Sequence, residues 1–539
     1  MQSTPPISRL TLSLRILAVF LLTIVFTLLC VAESKRNGRL ASSPNYDDVV
    51  YFHDGSILLQ SLQSGGWTGF KSFLTERGLH SPYSIFLAAA AFRVFGFQDA
   101  SPYLASGLVV LIYLLGVSWF LRRLPIVPWL SGVLLFLAPP FITMGVVEFR
   151  PDIAWAVTTG FGVVLIVTSE ELFRRPGRAA VAALFLALSL LIKPSTFVMT
   201  VILYMGAIFS RIAAAVWEKR WRSSPRKALM GAVVFVATVL IVAGPYWMRF
   251  GKGAWNYFLE NSFGVNKEIW AYRGSLKESL LFYISGEGSK SNVAIAGKIL
   301  SVLSLSCLGF LALRKAELRW KLFVLLGLIA GALLINTVAG MKSPFLGGGI
   351  YGVWLFSCAY VIATAYTVLK LEPGRETPRW TTFALPVTAA LALLCYRRPA
   401  CSRWDGNSAL SKNYRAANDY ILSLLDKHVQ VPPKSVFFIQ AGPIVMESAG
   451  IWFPRHGLKT AVSSGAFLRS EEEFGLAYPS QEWIVLQERN VMGATPSMPS
   501  ESLLPKFLAI VIADPNYEMI SEFTAMDGKK VWVYARKKI

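Results

Sequence analysis

The chain contains eleven apolar runs that are long enough, or nearly long enough, to cross a membrane. They occur near residues 12–32, 102–121, 125–145, 153–169, 179–193, 195–210, 228–248, 293–313, 321–339, 347–369 and 380–396. A spanning helix needs about 20 predominantly apolar residues, because the hydrocarbon core of a bilayer is about 30 Å thick. Only 16% of the 539 residues are charged, against about 25% in soluble domains. The sequence therefore predicts a polytopic α-helical membrane protein with about 11–13 spans.

The basic residues are concentrated between alternate apolar runs. Their clusters are at Arg122-Arg123, 174–178, 211–227, 314–321 and 370–379. Because cytoplasmic loops are enriched in Lys and Arg, one alternation places all of these clusters in the cytoplasm. This topology accounts for the net charge of +21, and we expect no nucleic-acid partner, since no basic stripe lies on a soluble segment. The loops left outside are 33–101, 146–152, 249–292, 340–346 and all residues after 397.

The segment Pro82–Phe97 is apolar but too short to be assigned as a span. As a helix it would be about 24 Å long, and it carries Arg93. If it crossed the membrane, every later basic cluster would change sides. We therefore predict a re-entrant or interfacial helix on the outer side, within a first outer loop at 33–101.

The chain changes character at about residue 404. Short β-rich runs follow at 435–440, 482–487, 507–513 and 530–534, separated by Pro, Gly and acidic residues. Residues 413–427 have the periodicity of a helix. The sequence thus predicts a membrane domain at 1–403 and a small soluble α/β domain at 404–539, outside the cytoplasm.

Asp47 and Asp48 form the first acidic cluster on the predicted outer side, just after the first span. An enzyme that transfers a group to a hydroxyl needs a base near the acceptor, and a carboxylate can serve. Carboxylates also hold divalent metals. A solvated loop or a helix N-cap would explain the same residues without any function. Asp47 and Asp48 are therefore candidate catalytic residues, with no metal assigned.

The segment from Glu148 to Asp152 is a second ionisable cluster at the predicted outer face. Ionisable groups next to apolar spans are costly and are functional candidates for that reason. The alternative is ordinary capping, because Pro151 at a helix start followed by Asp152 in the first turn is a common arrangement. Both interpretations remain open for Arg150 and Asp152.

Lys193 lies between two short apolar runs, again at the predicted outer face. A lysine there departs from the positive-inside pattern, so it can bind an anion such as a lipid phosphate. It can equally be a side chain that snorkels from the end of a span. Arg249 and His80, also in outer segments, are weaker candidates for binding phosphate.

These motifs, in this order, resemble the glycosyltransferase-C superfamily and specifically its family-39-like membrane glycosyltransferases. That group includes protein O-mannosyltransferases, aminoarabinose transferases of lipid A and rhizobial core glycosyltransferases. The matching segments are Tyr46-Asp47-Asp48, His80-Ser81-Pro82-Tyr83 with the following helix to Phe95-Gly96, Arg150-Pro151-Asp152, and Leu190 to Ser195. The likeness covers roughly residues 10–400. It departs from the family at Asp48, where many members have Glu, and at Ser81, which replaces a proline, so donor and acceptor stay open.

The resemblance implies an integral membrane glycosyltransferase of the cell envelope, acting in lipopolysaccharide or other glycan biosynthesis. It would move a monosaccharide, with inversion, from a polyprenyl-phosphate donor to a hydroxyl of a glycan, lipid or protein. The site would face the periplasm or outside from the inner (plasma) membrane. The implied catalytic residues are Asp47, as the base, with Asp48 and Asp152, and the implied donor-phosphate ligands are Lys193, Arg249, Arg150 and His80. A divalent cation is left open.

Two other functions compete with this hypothesis. A transporter or flippase of a lipid-linked or small substrate would keep its ionisable residues and broken helices near the middle of the membrane, whereas Asp47, Asp48 and Asp152 are predicted at one face. A structural assembly protein, whose tail binds a partner, would tolerate Asp47→Asn without consequence.

Overall fold

The computed structural model describes most of the chain. The described residues are 9–38, 40, 47–76, 81–217, 225–264, 266–269, 271–371, 380–396, nine positions within 412–427, then 432–439, 446–455, 458, 460–488, 498–524 and 528–537. Within these ranges the part before residue 397 is mainly helical and the tail contains a β-sheet.

The helices of the membrane part follow one another with short connections. In chain order they are α1 (Arg9–Arg36), α2 (Asp47–Glu76), α3 (Pro82–Phe95), α4 (Ala100–Ala105), α5 (Gly107–Leu121), α6 (Ile126–Leu137), α7 (Pro140–Val147), α8 (Pro151–Thr168), α9 (Pro176–Ile192), α10 (Phe197–Trp217), α11 (Pro225–Ser262), α12 (Leu276–Ile284), α13 (Glu287–Asn292), α14 (Ala294–Arg314), α15 (Arg319–Val338), α16 (Gly348–Leu371) and α17 (Trp380–Leu394).

Nine of the eleven predicted apolar runs each fall on one helix, and the runs 102–121 and 125–145 are each divided between two helices. Among the described residues, 8 helices are long and apolar enough to cross a membrane, or 9 if α6 and α7, which meet at a bend of 60°, form one span. The prolines Pro139 and Pro140 at this bend remove backbone donors and so break the helix. The remaining two runs form α9 and α17, with 17 and 15 residues, fewer than the about 20 that a span needs. A total of eleven spans stays a prediction.

Helix α3 has the short length expected of an interfacial helix. Pro82 occupies its first turn, and the Ser81 side chain accepts a bond from the Ser84 amide, so both residues define its start. Its 14 residues span about 21 Å. It packs mainly along α2 and α4, and it also contacts α9.

Buried basic side chains lie together at one end of the helices. Arg15 of α1 donates to the carbonyl of Leu124 at 2.6 Å, in the turn between α5 and α6. Lys321 of α15 pairs with Glu170 at 2.8 Å, and Arg211 of α10 donates to the Glu170 carbonyl. Four of the predicted cytoplasmic clusters therefore share one end, as a single alternation of spans requires.

Helices α8 and α16 cross at the centre of the membrane part with almost no space between their backbones. A Cβ atom on Gly352 would lie 2.2 Å from the carbonyl oxygen of Ala156, and one on Gly160 would lie 2.3 Å from the carbonyl carbon of Gly352. Close approach at small residues is a common way for membrane helices to pack.

Gly352→Val is expected to separate α8 from α16 and to destabilise the protein by about 1–3 kcal/mol or more, because backbone atoms cannot yield to the new side chain. A thermal unfolding measurement in detergent would show a lower Tm than wild type. Gly331→Val is the matched control, since a Cβ on Gly331 in α15 meets nothing within 4 Å. Equal Tm values for the two variants would contradict the tight crossing.

The tail forms a small α/β unit around one five-stranded sheet. Its strands are β1 (Ser435–Phe438), β2 (Ala461–Ser464), β3 (Trp483–Gln487), β4 (Tyr517–Thr524) and β5 (Lys530–Arg536). The sheet order is β2-β1-β3-β5-β4, with β1 parallel to β2 and β3 and with β5 antiparallel to β3 and β4. Besides the helical residues described within 412–427, it is accompanied by α18 (Met446–Arg455), α19 (Glu471–Ala477) and α20 (Leu504–Ala513).

The tail confirms three predicted strands and corrects a fourth. The run 507–513 is helical, within α20, so the predicted strand there is wrong. Leu504, Phe507 and Val511 follow one another at helical spacing and bury one face of α20 in a core that also contains residues of the sheet. The described residues within 412–427 are helical, as predicted. The proposed domain boundary at 403/404 lies outside the described residues and stays a prediction.

Candidate active site

Asp48 is buried at the start of α2 and is held by two donors. Its Oδ2 atom accepts a hydrogen bond from the Tyr103 hydroxyl at 2.8 Å and from the Phe149 amide at 3.0 Å. Asp48 as a whole is only 2% exposed to solvent. A carboxylate in the first turn of a helix is also favoured by the helix dipole. The side chain therefore links α2 to the connection between α7 and α8, where the second predicted cluster lies.

The connection between α7 and α8 is extended, so the backbone amide at its centre is not used within a helix and can bond to Asp48. Glu148 and Arg150 have extended φ/ψ values, and Pro151 then begins α8. Because Phe149 belongs to no helix, its amide is available to the Asp48 carboxylate. Phe149 directly precedes Arg150-Pro151-Asp152, so the two predicted acidic clusters converge on one short segment.

Asp152 is buried, at 2% exposure, in the first turn of α8. Lys193 donates to its Oδ1 atom, and the Arg150 Nε lies 3.7 Å from its Oδ2 atom. Pro151 and Asp152 do form the predicted helix start. The carboxylate also binds two cations, however, so capping alone does not account for it. A buried carboxylate of this kind requires such partners.

The backbone turn at Lys193 brings its ammonium to Asp152. Pro194 disfavours a helical conformation for the residue before it, and α9 accordingly ends at Ile192, with Lys193 at φ −138° and ψ 82°. The Ser81 hydroxyl donates to the Ile192 carbonyl at 2.7 Å. The segment before α3 is thus tied to the Lys193 turn, and the Lys193 side chain is only 15% exposed.

Arg150 is packed as well as charged. Its guanidinium lies 4.1 Å from the ring centroid of Phe345, in the connection between α15 and α16. In the same connection, burial lowers the pKa of Lys342, which donates to the Ala339 carbonyl. The stacking and the Asp152 partner together fix the plane of the Arg150 guanidinium.

Among the remaining predicted site residues, Arg249 is described, and its contacts lie outside this cluster. Arg249 of α11 is exposed and donates to the Leu74 carbonyl at 3.3 Å and to the Thr75 hydroxyl at 3.1 Å. It therefore caps the end of α2, and its role in binding phosphate stays a prediction. Asp47 begins α2, but its side chain lies outside the described residues, as does the whole of His80.

The structure adds two site groups that the sequence did not indicate, the Tyr103 hydroxyl and the Phe149 amide. Tyr103 carries no sequence signal, because a tyrosine near the end of a span is usually an interfacial anchor. In the part of the chain that is described, no group of three or more His, Cys, Asp or Glu residues is placed to hold a metal ion.

A groove lies at the opposite, basic end of the helices. Its walls include Glu170, Arg174 and Arg211. It does not coincide with the acidic cluster. We regard the Asp48–Asp152 cluster as the candidate site, because it combines buried carboxylates, buried cations and a hydroxyl on several converging helices.

Comparison with known proteins identifies a fold but no family. No family model matches the sequence, and no curated protein matches it. The crystal structure of ArnT from Cupriavidus metallidurans in the apo state is similar, with a TM-score of 0.56, 11% identity, and coverage of 94% of this chain and 97% of that chain. The structure of the same protein bound to undecaprenyl phosphate has a TM-score of 0.53, with 11% identity and 97% of both chains covered. The predicted fold class, a polytopic α-helical membrane protein with a small C-terminal α/β part, is confirmed, and its fold is similar to that of ArnT.

Proposed function

We propose that this chain, with its ArnT-like fold, is a membrane glycosyltransferase that moves a monosaccharide from a polyprenyl-phosphate donor to an acceptor hydroxyl. The observation that carries the proposal is the convergence of Asp48, Asp152, Lys193 and Arg150 at the ends of four helices or connections. That undecaprenyl phosphate binds ArnT supports a donor of this class. The acceptor class remains a glycan, a lipid or a protein.

In this reaction the acceptor hydroxyl loses its proton to a carboxylate, and its oxygen attacks the anomeric carbon of the donor. The bond between that carbon and the phosphate oxygen breaks, and polyprenyl phosphate leaves with the electron pair. Negative charge grows on the phosphate, so nearby cations stabilise the transition state. Lys193 and Arg150 are suited to this role, because both are partly buried and already bind a carboxylate oxygen.

The two catalytic acids near the start of α2 would have different tasks. The Asp48 carboxylate already accepts two hydrogen bonds on one oxygen and is held in place by them. A fixed carboxylate suits a supporting, electrostatic role. Proton abstraction is then assigned to Asp47, its neighbour at the helix start, as the sequence resemblance implies.

Asp152 would keep the two cations in position before the donor arrives. Because it binds both Lys193 and Arg150 in the free protein, an incoming phosphate competes with it for the same donors. The displaced carboxylate would remain beside the reacting groups, and inversion at the anomeric carbon follows from a single displacement. The site would face the periplasm or outside from the inner (plasma) membrane, opposite the basic end of the helices.

The arrangement of charges disfavours a transporter. Asp152 begins α8 and Lys193 follows the end of α9, so both are at helix ends. A transporter typically places such residues on broken helices near the middle of the membrane.

A transfer assay tests the proposal. Purified protein is incubated with radiolabelled polyprenyl-phosphate sugar and a membrane extract, and label leaving the carrier is counted. Wild type is expected to transfer label, and Asp47→Asn to lower the rate by about 10²–10⁴-fold, as for loss of a general base. The enzyme hypothesis is wrong if wild type never releases label from the carrier. Full activity of Asp47→Asn would refute the assignment of the base.

A further inference from the structure

Helix α18 of the tail belongs to two hydrophobic cores at once. Ala449 and Phe453 are buried with residues of the tail sheet. Ile451, only 2% exposed, is buried in the core of the membrane part. A helix that fills two cores holds their relative position, since withdrawing either face exposes apolar surface. The tail is therefore more than an appended soluble domain.

The first contact of α18 is with α2, one and a half turns after Asp48. Gly450 packs directly on the buried His53: a Cβ on Gly450 would lie 2.4 Å from the His53 Nε2 atom and 3.2 Å from the Cγ2 atom of Val462 on the other side. Only glycine leaves room for α2 and β2 to approach α18 this closely at one position.

The second contact of α18 is with the start of α4, the helix that carries Tyr103. Arg455 binds the carboxylate of Asp99, the residue that precedes α4, with 2.5 Å between Nη2 and Oδ1. The Arg455 guanidinium also lies 4.8 Å from the ring centroid of Phe97. Both charged side chains are largely buried, at 22% and 20% exposure, which makes the pair stronger than a solvent-exposed one.

These two contacts hold the two helices that meet at Asp48. Helix α2 supplies the carboxylate and α4 supplies the Tyr103 hydroxyl that donates to it. Phe52, from the next turn of α2, packs edge-on against Tyr103 at 5.4 Å between ring centroids and against Phe149 at 5.2 Å. A shift of α18 would therefore be passed to both partners of this hydrogen bond.

We propose that α18 is a clamp that positions Asp48 for transfer, with Gly450 and Arg455 as positioning residues. The clamp consists of Gly450 against His53 and Arg455 against Asp99 and Phe97. The claim that this clamp positions Asp48 for transfer rests on the proposed function. Displacements of about 1 Å at a reacting group can lower a rate by about 10²-fold, so a contact remote from the substrate can control turnover.

The test compares the full-length Arg455→Ala and Gly450→Val proteins with Arg469→Ala. Arg469→Ala is the matched control, because it also removes a single contact between the tail and the membrane part, the 2.6 Å bond to Asn266, but touches neither α2 nor α4. Hydrogen–deuterium exchange of residues 47–56 reports the position of α2 without any substrate. Transfer of radiolabelled sugar and binding of undecaprenyl phosphate are measured on the same samples.

The clamp variants are expected to exchange roughly tenfold faster at 47–56, the effect of losing one bond between charged groups. Transfer is expected to fall roughly tenfold to a hundredfold, with binding of undecaprenyl phosphate changed less than about twofold, because Lys193 and Arg150 lie on other segments. The charge swap Asp99→Arg with Arg455→Asp should restore both exchange and transfer. Arg469→Ala should resemble wild type.

Unchanged exchange in Arg455→Ala overturns the clamp, even if Gly450→Val does not fold. Exchange that rises equally in Arg469→Ala overturns it too, since the effect would then be general loosening of the tail. If the clamp variants exchange faster at 47–56 but transfer sugar at the wild-type rate, the claim that α18 positions Asp48 for transfer is overturned. If wild type transfers no label, the proposed function fails and the positioning role fails with it, whereas the exchange data still decide whether α18 holds α2.

Discussion

Lys193→Met is expected to destabilise the protein by about 3 kcal/mol, the lower end of the range for breaking a buried ion pair, and to lower transfer by about 10²–10³-fold. The reason is that Asp152, buried in the first turn of α8, would keep, among the described residues, only Arg150 as a charged partner, at 3.7 Å. In transfer, the departing phosphate would lose one of its two cations. Thermal unfolding in detergent and the labelled-sugar assay measure the two effects.

Two further variants separate stability from chemistry in that prediction. Lys193→Met combined with Asp152→Asn removes both charges, so most of the lost stability should return while transfer stays low. Arg175→Met is the matched control: it breaks the Arg175–Glu171 pair, with 2.6 Å between the atoms but exposed side chains, and should cost less than about 1 kcal/mol. If Lys193→Met and Arg175→Met have the same Tm, the buried Lys193–Asp152 pair does not contribute the expected stability.

Asp48→Asn is expected to lower transfer by about 10²–10³-fold, as for loss of a fixed electrostatic group, with little change in Tm. The amide oxygen of asparagine can still accept hydrogen bonds from Tyr103 and the Phe149 amide, so the packing survives while the charge is lost. Initial rates of label release, compared with wild type at equal protein concentration, give the effect.

The matched control for that prediction is Asp54→Asn, the same substitution in the same helix. Asp54 lies 3.8 Å from the Nδ1 atom of His53, the residue on which Gly450 packs, and it is assigned no part in the transfer reaction. It should retain nearly full transfer. A large loss in Asp54→Asn would mean that transfer is sensitive to changes anywhere in α2. Full transfer in Asp48→Asn would mean that the Asp48 charge is not needed.

The membrane part could be predicted from sequence because its signals are long and physically simple. Apolar length and the alternation of basic clusters place the helices, and the short length of α3 sets it apart. Proline before or after a polar residue marks the turns at Asp152 and Lys193. For that reason the sequence indicated which charged residues lie at helix ends on one side.

Contacts between distant segments could not be predicted in the same way. Nothing local to Tyr103, Phe345 or Ser81 shows that each would contact a predicted site residue or its turn. These contacts depend on how helices pack, and packing is set by many weak interactions spread along the chain. The contacts of Arg249 with Leu74 and Thr75 at the end of α2 likewise carry no sequence signal.

The tail shows how burial overrides local propensity. The run 507–513 is rich in β-branched residues, yet it is helical because Leu504, Phe507 and Val511 face one core at helical spacing. Strand β4, at Tyr517–Thr524, was not predicted because its exposed and buried residues do not alternate regularly and a bulge lies between Met519 and Ser521.

The position of the carrier phosphate is the most direct test of the proposed site. A cryo-electron microscopy structure of the wild-type protein with undecaprenyl phosphate would locate it. We expect the phosphate oxygens within hydrogen-bonding distance of the Lys193 ammonium and the Arg150 guanidinium, with the Asp152 carboxylate displaced from at least one of them. A phosphate bound elsewhere, with both contacts of Asp152 intact, would contradict the proposed site.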